Sequence, residues 1–177
     1  MSDETDQERL RTACHEAAHS VIQYRTSGFV GGTTTIKPSA TGILGASHDA
    51  VSDSFSSNHA RCRILSCYAG GHSDRKLGGY HPLACEQDDD IAEELLREWG
   101  WTKLKPQFIE ESAALVERHW TEIYAVAEEL LKTETLDDSE LQIVADIAAN
   151  TPDVSLNDLV LYRALKNGLL PSAIIPP

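Results

Sequence analysis

The sequence predicts a mainly helical α+β domain with one small sheet of two or three strands. Three observations predict it. Apolar residues recur at helical spacing in most of the chain. Alternation typical of strands is confined to one stretch, 28–47. The length, 177 residues, suits one core and is short for two, so the whole of 1–177 reads as a single domain.

The elements follow in order. Leu10, Cys14, Ala17, Val21 and Ile22 give a helix over 6–24, closed by Gly28. Strands are expected at 33–36 and 43–46, joined by a turn over 38–42. A second helix covers 54–69 and is expected to stop at Gly70-Gly71. An irregular loop holding Gly78-Gly79 and Pro82 follows over 72–85. Helices then cover 86–99, 106–132 with Pro106 in its first turn, 137–149 and 156–166. Residues 1–5 and 168–177 read as extended tails.

Composition excludes some classes of function. The formal net charge is −13, from 28 acidic and 15 basic residues. Phosphate backbones and anionic lipid surfaces are bound by clustered Lys and Arg, so neither nucleic acid nor membrane is expected as a partner. No segment reaches the roughly 18 to 20 apolar residues of a membrane span. The first residues are polar and acidic, unlike a signal peptide. Cys14, Cys62, Cys67 and Cys85 form no CxxC pair and read as reduced thiols of a cytoplasmic protein, with Cys62 and Cys67 a buried pair on one helix.

Chemistry is carried by His15-Glu16-Ala17-Ala18-His19, an HExxH motif within the first helix. Residues four apart lie on one helical face, so both imidazoles can reach one ion at about 2.0 Å. Glu16 lies roughly 100° around the helix, placed to take the proton of a water activated by that ion. His15 and His19 are therefore the expected Zn²⁺ ligands and Glu16 the general base. A third ligand is needed. The extended pattern HExxHxxGxxH would require Gly and His where this chain has Ile22 and Arg25, and no Glu lies between Glu16 and Glu86. In Asp88-Asp89-Asp90, Asp88 shares the apolar stripe of Ile91, Ala92, Leu95 and Trp99. A carboxylate on a core face is costly unless paired or bound to metal, which makes Asp88 the expected third ligand. The other reading of Asp88, that it favours the positive end of the helix dipole, accounts for Asp89 and Asp90.

These residues resemble the peptidase domain of the FtsH-type membrane-bound AAA+ zinc proteases. The likeness covers about 10–145. Residues 13–19 follow the flanks of that family's HEAGH motif. Thr35-Ile36-Lys37-Pro38 and Gly42-Ile43-Leu44-Gly45 resemble its strand pair, and Tyr68-Ala69-Gly70-Gly71 its helix with a glycine pair. Asp88, Ala92 and Leu95 match the spacing of its GASND helix, and 127–141 its closing helices. The resemblance implies a zincin-like helical domain with His15, His19 and an Asp at position 88 as ligands. Ala18 stands where the family has glycine, and Cys85-Glu86-Gln87-Asp88 where it has ASND. The sequence contains no GxxxxGK[ST] loop and no ATPase domain, so a separate ATPase or adaptor chain is a possible partner.

The function expected is zinc-dependent endopeptidase cleavage of flexible or unfolded polypeptide, with extended substrate lying along 33–36 by edge pairing. The runner-up is a catalytically silent metal-binding interaction module, and a third reading is a zinc hydrolase of a small amide. Of the remaining histidines, His72 and His81 flank the glycine-rich loop and are weighed as cleft residues. His119 reads as structural. Trp99 and Trp101 are expected to cap the core.

Overall fold

A computed structural model describes residues 2–28, 32–38, 44–47, 56–79 and 82–169. The elements are α1 (Ser2–Ser27), β1 (Thr33–Pro38), β2 (Leu44–Ser47), α2 (Ser57–Lys76), α3 (Pro82–Glu98), a 3₁₀ turn (Thr102–Leu104), α4 (Lys105–Arg118), α5 (Trp120–Thr133), β3 (Thr135–Asp137), α6 (Asp138–Ala148) and α7 (Leu156–Lys166). This is the mainly helical α+β architecture expected.

Helix α1 is the centre of the molecule, packed between α2 and α5 with the sheet against it. Every residue from 13 to 22 is buried, polar ones included. Small Ala13, Cys14, Ala17 and Ala18, all 0% exposed, let neighbouring elements approach closely. The sheet is antiparallel in the order β2-β1-β3. Thr34 pairs with Ser47 on one side and Leu136 on the other. A 2.6 Å hydrogen bond between the hydroxyls of Ser20 and Thr34 fastens β1 to α1. Because β1 is paired along both sides, it offers no edge to an extended substrate, contrary to expectation; the outer strands are β2 and β3.

Other differences have physical causes. Helix α1 begins at Ser2, so 2–5 are helical rather than an extended tail; 170–177 lie outside the described residues. Helix α2 does not stop at Gly70-Gly71 but runs through them to Lys76. Burial against α1 outweighs the modest helix cost of two glycines. The helix ends at Gly78, whose φ of 78° supplies the left-handed turn. There Gly79 N–H donates to Asp74 C=O and Gly78 N–H to Arg75 C=O. The loop expected over 72–85 is therefore helical at both ends, since α3 starts at Pro82. The single helix expected over 106–132 is broken at His119, where ψ is 18°. That break lets α4 pack on α2 and α5 on α1.

Helix α7 is held to α6 mainly by charge. Lys166 Nζ lies 2.7 Å from Asp137 and 2.9 Å from Glu140, and Arg163 Nε is 2.9 Å from Glu140. Burial would raise the Glu140 pKa, but Lys166 and Arg163 hold it below the usual carboxylate range. Lys166, the Glu140 N–H and Tyr162 do the same for Asp137. A carboxylate depressed in the folded state contributes stability above its unfolded pKa of about 4, lost as pH falls through the folded value. The melting temperature should therefore fall more steeply below about pH 4 in wild type than in Lys166→Ala. Equal slopes from calorimetry between pH 7 and pH 2 would contradict this.

Candidate metal centre

The site forms where α1, α2 and α3 meet. His15 and His19, one turn apart on α1, are 7% and 6% exposed, and their rings meet edge to face at 4.7 Å. Each ring is aimed by a bond from its other nitrogen. His15 Nδ1 lies 3.0 Å from Asp74 Oδ2, and His19 Nδ1 lies 2.7 Å from the Ser66 carbonyl oxygen. A carbonyl only accepts, so His19 donates from Nδ1 to Ser66 and turns its Nε2 towards α3. Ser66 also donates its hydroxyl to the His19 carbonyl at 3.0 Å, locking the two helices in register.

Asp88 Oδ2 approaches both Nε2 atoms, 3.4 Å from His15 and 3.1 Å from His19. With bonds of about 2.0 Å, the corners of a zinc tetrahedron are about 3.3 Å apart. The separations fit that spacing, and the three ligand atoms all lie within 4.8 Å of one another. Gly70 leaves the room. A Cβ built there would stand 2.5 Å from His19 Nε2 and 2.6 Å from His15 Nε2, in the space between the nitrogens and α2. Two imidazoles, one carboxylate and a cleared point between them form a donor set suited to zinc with one position open.

The electrostatics are those of charges held close in a dry place. Burial works against protonated His15, but its bonds to Asp74 and Asp88 outweigh this and raise its pKa to about 10. Burial would also raise Asp88, yet His19 and His15 hold it well below the usual carboxylate range. Glu16, 7% exposed, is pushed up by burial, with the two histidines pulling the other way.

The structure thus brings His15, His19 and Asp88 together, with Glu16 buried beside them. Asp88 is partly exposed and Asp90 fully so, while Asp89 turns towards Tyr68 and Lys105. The face on which Asp88 was placed needs correction, however. The buried stripe of α3 runs through Cys85, Ala92 and Leu96, at 3%, 0% and 1% exposure, and Ile91, Leu95 and Trp99 are only partly covered. Asp88 borders this stripe on the side facing α1.

His72 lines a cavity beside the site rather than the histidine pair itself. His119 bonds Glu122 at 2.8 Å, between α4 and α5. His59 sits at the exposed start of α2 against Ser56, and His48 and His81 lie outside the described residues. Trp101 stacks on Phe108 at the core's edge, with Trp99 against it. All four cysteines are buried, and none is in a disulfide.

Asp74, Ser66 and Gly70 were not anticipated. A signal existed: they lie four apart on α2, as His15 and His19 do on α1, and the two rows face each other. Expecting the helix to stop at Gly70 concealed it.

No family model matches the chain, and no curated protein matches it. Among the described residues, no helix is long and apolar enough to cross a membrane.

Proposed function

We propose that this chain is a zinc-dependent endopeptidase that cleaves flexible or unfolded polypeptide in the cytoplasm. The observation that carries the reading is the convergence of His15 Nε2, His19 Nε2 and Asp88 Oδ2, with a buried Glu16 next to them. His15, His19 and Asp88 would hold the ion. Zinc bound there supplies Lewis-acid activation of water and polarises the carbonyl of the scissile bond.

The chain's own residues do the rest. Glu16 accepts the water's proton and delivers it to the leaving amine. Its burial moves its pKa up towards the working pH, which favours that exchange. Asp74 and the Ser66 carbonyl fix the imidazole orientations and keep both Nε2 atoms turned to the same point. A buried carboxylate is costly, and a purely structural metal site has no use for Glu16, which favours an enzyme over a silent module. Four buried thiols suit a reducing compartment. A separate ATPase chain would widen the range of substrates to folded proteins.

The glycine on α2 gives a test independent of the ligands. Ala is the better helix former by about 1 kcal/mol, so Gly70→Ala should keep full helical content. Its Cβ would nevertheless crowd both Nε2 atoms. Zinc affinity should fall by about tenfold or more, read by competition with a chromophoric chelator alongside circular dichroism. Wild-type affinity in a fully folded Gly70→Ala would mean that the ion is not held between these nitrogens.

The function itself is tested with zinc-loaded protein on a casein-like unfolded substrate, a panel of long peptides and small amides. Cleavage of the first two, suppressed by chelation, supports the reading. Turnover of small amides alone would replace it with an amidase, and zinc uptake without turnover of any of them would leave the binding module.

A further inference from the structure

We propose that the cavity between α2, α3 and α4 is a subsite for an acidic side chain of the polypeptide substrate. The proposal rests on the hydrolytic reading above. The cavity has a volume of about 140 Å³ and lies behind the histidine site, on the neighbouring face of α2. Its wall residue Gly71 follows Gly70, and Asp89 follows Asp88. Cys85 Sγ, also in the wall, lies 3.8 Å from the Asp74 oxygen that holds His15.

The lining selects the ligand. The floor is closed by Cys67, Tyr68 and Cys85, exposed by only 3%, 6% and 3%. The Tyr68 hydroxyl is buried with no hydrogen-bond partner among the described residues. An orphaned buried hydroxyl is costly, and an entering acceptor would recover that cost. Arg75 is exposed at the rim, and Lys105, 38% exposed, lies across from it. Asp89 is the one carboxylate among the lining residues, and Lys105 also meets Glu93 on its outer side. Arg75 and Lys105 against Asp89 leave one net positive charge among the lining residues, in a chain of net charge −13. A glutamate side chain satisfies all of these groups. Its methylenes lie against the thiols, one oxygen accepts from Tyr68, and the charge is met by Arg75 and Lys105. A lysine side chain would bring a third cation and no acceptor, and a leucine would leave the hydroxyl unmet.

The test uses the full-length Glu16→Gln chain loaded with zinc, so that peptides bind without turnover. Peptides identical except for Glu, Leu or Lys at one position are titrated, the variable residue being moved along the sequence. At one position of the sequence, the Glu peptide should bind about tenfold more tightly than the Lys peptide, and less so at high salt. Arg75→Glu should reverse that order, and Tyr68→Phe should weaken the Glu peptide alone. Arg118→Glu, an exposed change on α4 away from the cavity lining, should change neither.

Equal binding of all three peptides, no binding of any, or an Arg75→Glu variant with wild-type preference would overturn the subsite. The hydrolytic reading fails separately. If wild type cleaves none of the peptides while the Glu preference stands, the cavity is a recognition pocket and the enzyme assignment falls. If cleavage proceeds with no preference at any position, the enzyme stands and the subsite falls.

Discussion

His19→Ala should leave the chain without bound zinc, where wild type takes up about one equivalent. The ion would lose one of three donors, and that turn of α1 has no other ligand to replace it. Removing the ring also strands the Ser66 carbonyl that His19 Nδ1 satisfies at 2.7 Å. A stability loss of about 1–3 kcal/mol is expected on that account, so metal analysis must be paired with a melting curve. Asp88→Asn should weaken binding nearly as far, because the amide brings no charge to the 3.1 and 3.4 Å contacts. Asp89→Asn and Asp90→Asn should bind as wild type does. Metal lost from Asp90→Asn and kept in Asp88→Asn would mean that α3 sits in a different register from the one described.

Glu16→Gln should have the opposite signature, with the metal retained and hydrolysis reduced by about 10² to 10⁴. Gln fills the same buried volume but cannot accept a proton. Burial disfavours the charged form of Glu16 and raises its pKa. A carboxyl whose pKa is raised on folding costs stability above its unfolded value of about 4.3. The zinc-free Glu16→Gln protein should therefore melt at a higher temperature than wild type at pH 7, and the two should converge as pH falls through 4. A more active and more stable variant would remove Glu16 from the reaction. A lower melting temperature with lost activity would mean that the substitution damaged the fold.

What could be read from the sequence divides by distance along the chain. The spacing of His15, Glu16 and His19 is local, and helical geometry alone puts the two rings on one face. The mainly helical fold with a small sheet was legible for the same reason, since periodicity is a property of neighbours. The apolar stripe through Asp88, Ile91, Ala92, Leu95 and Trp99 was only partly right, because the buried face of α3 is centred on Ala92 and Leu96 with Asp88 at its border.

Features that depend on packing were hidden. Gly70 looks like a helix stop until His15 and His19 are seen against it, and only then does Asp74, one turn further on, become a partner of His15. Strand β3 has three residues, and its backbone pairs with β1, about a hundred residues earlier in the chain. The break at His119 follows from α4 and α5 packing on different helices, which no local pattern encodes.

The most direct test of the central claim is a zinc add-back assay on an unfolded protein substrate. Purified chain is stripped with chelator, and zinc is returned in steps while cleavage and bound metal are followed in the same sample. The account predicts no cleavage in the stripped protein and a rise that stops at about one zinc per chain, with Glu16→Gln silent throughout. Cleavage that survives stripping, or its absence at one bound zinc per chain, would contradict it.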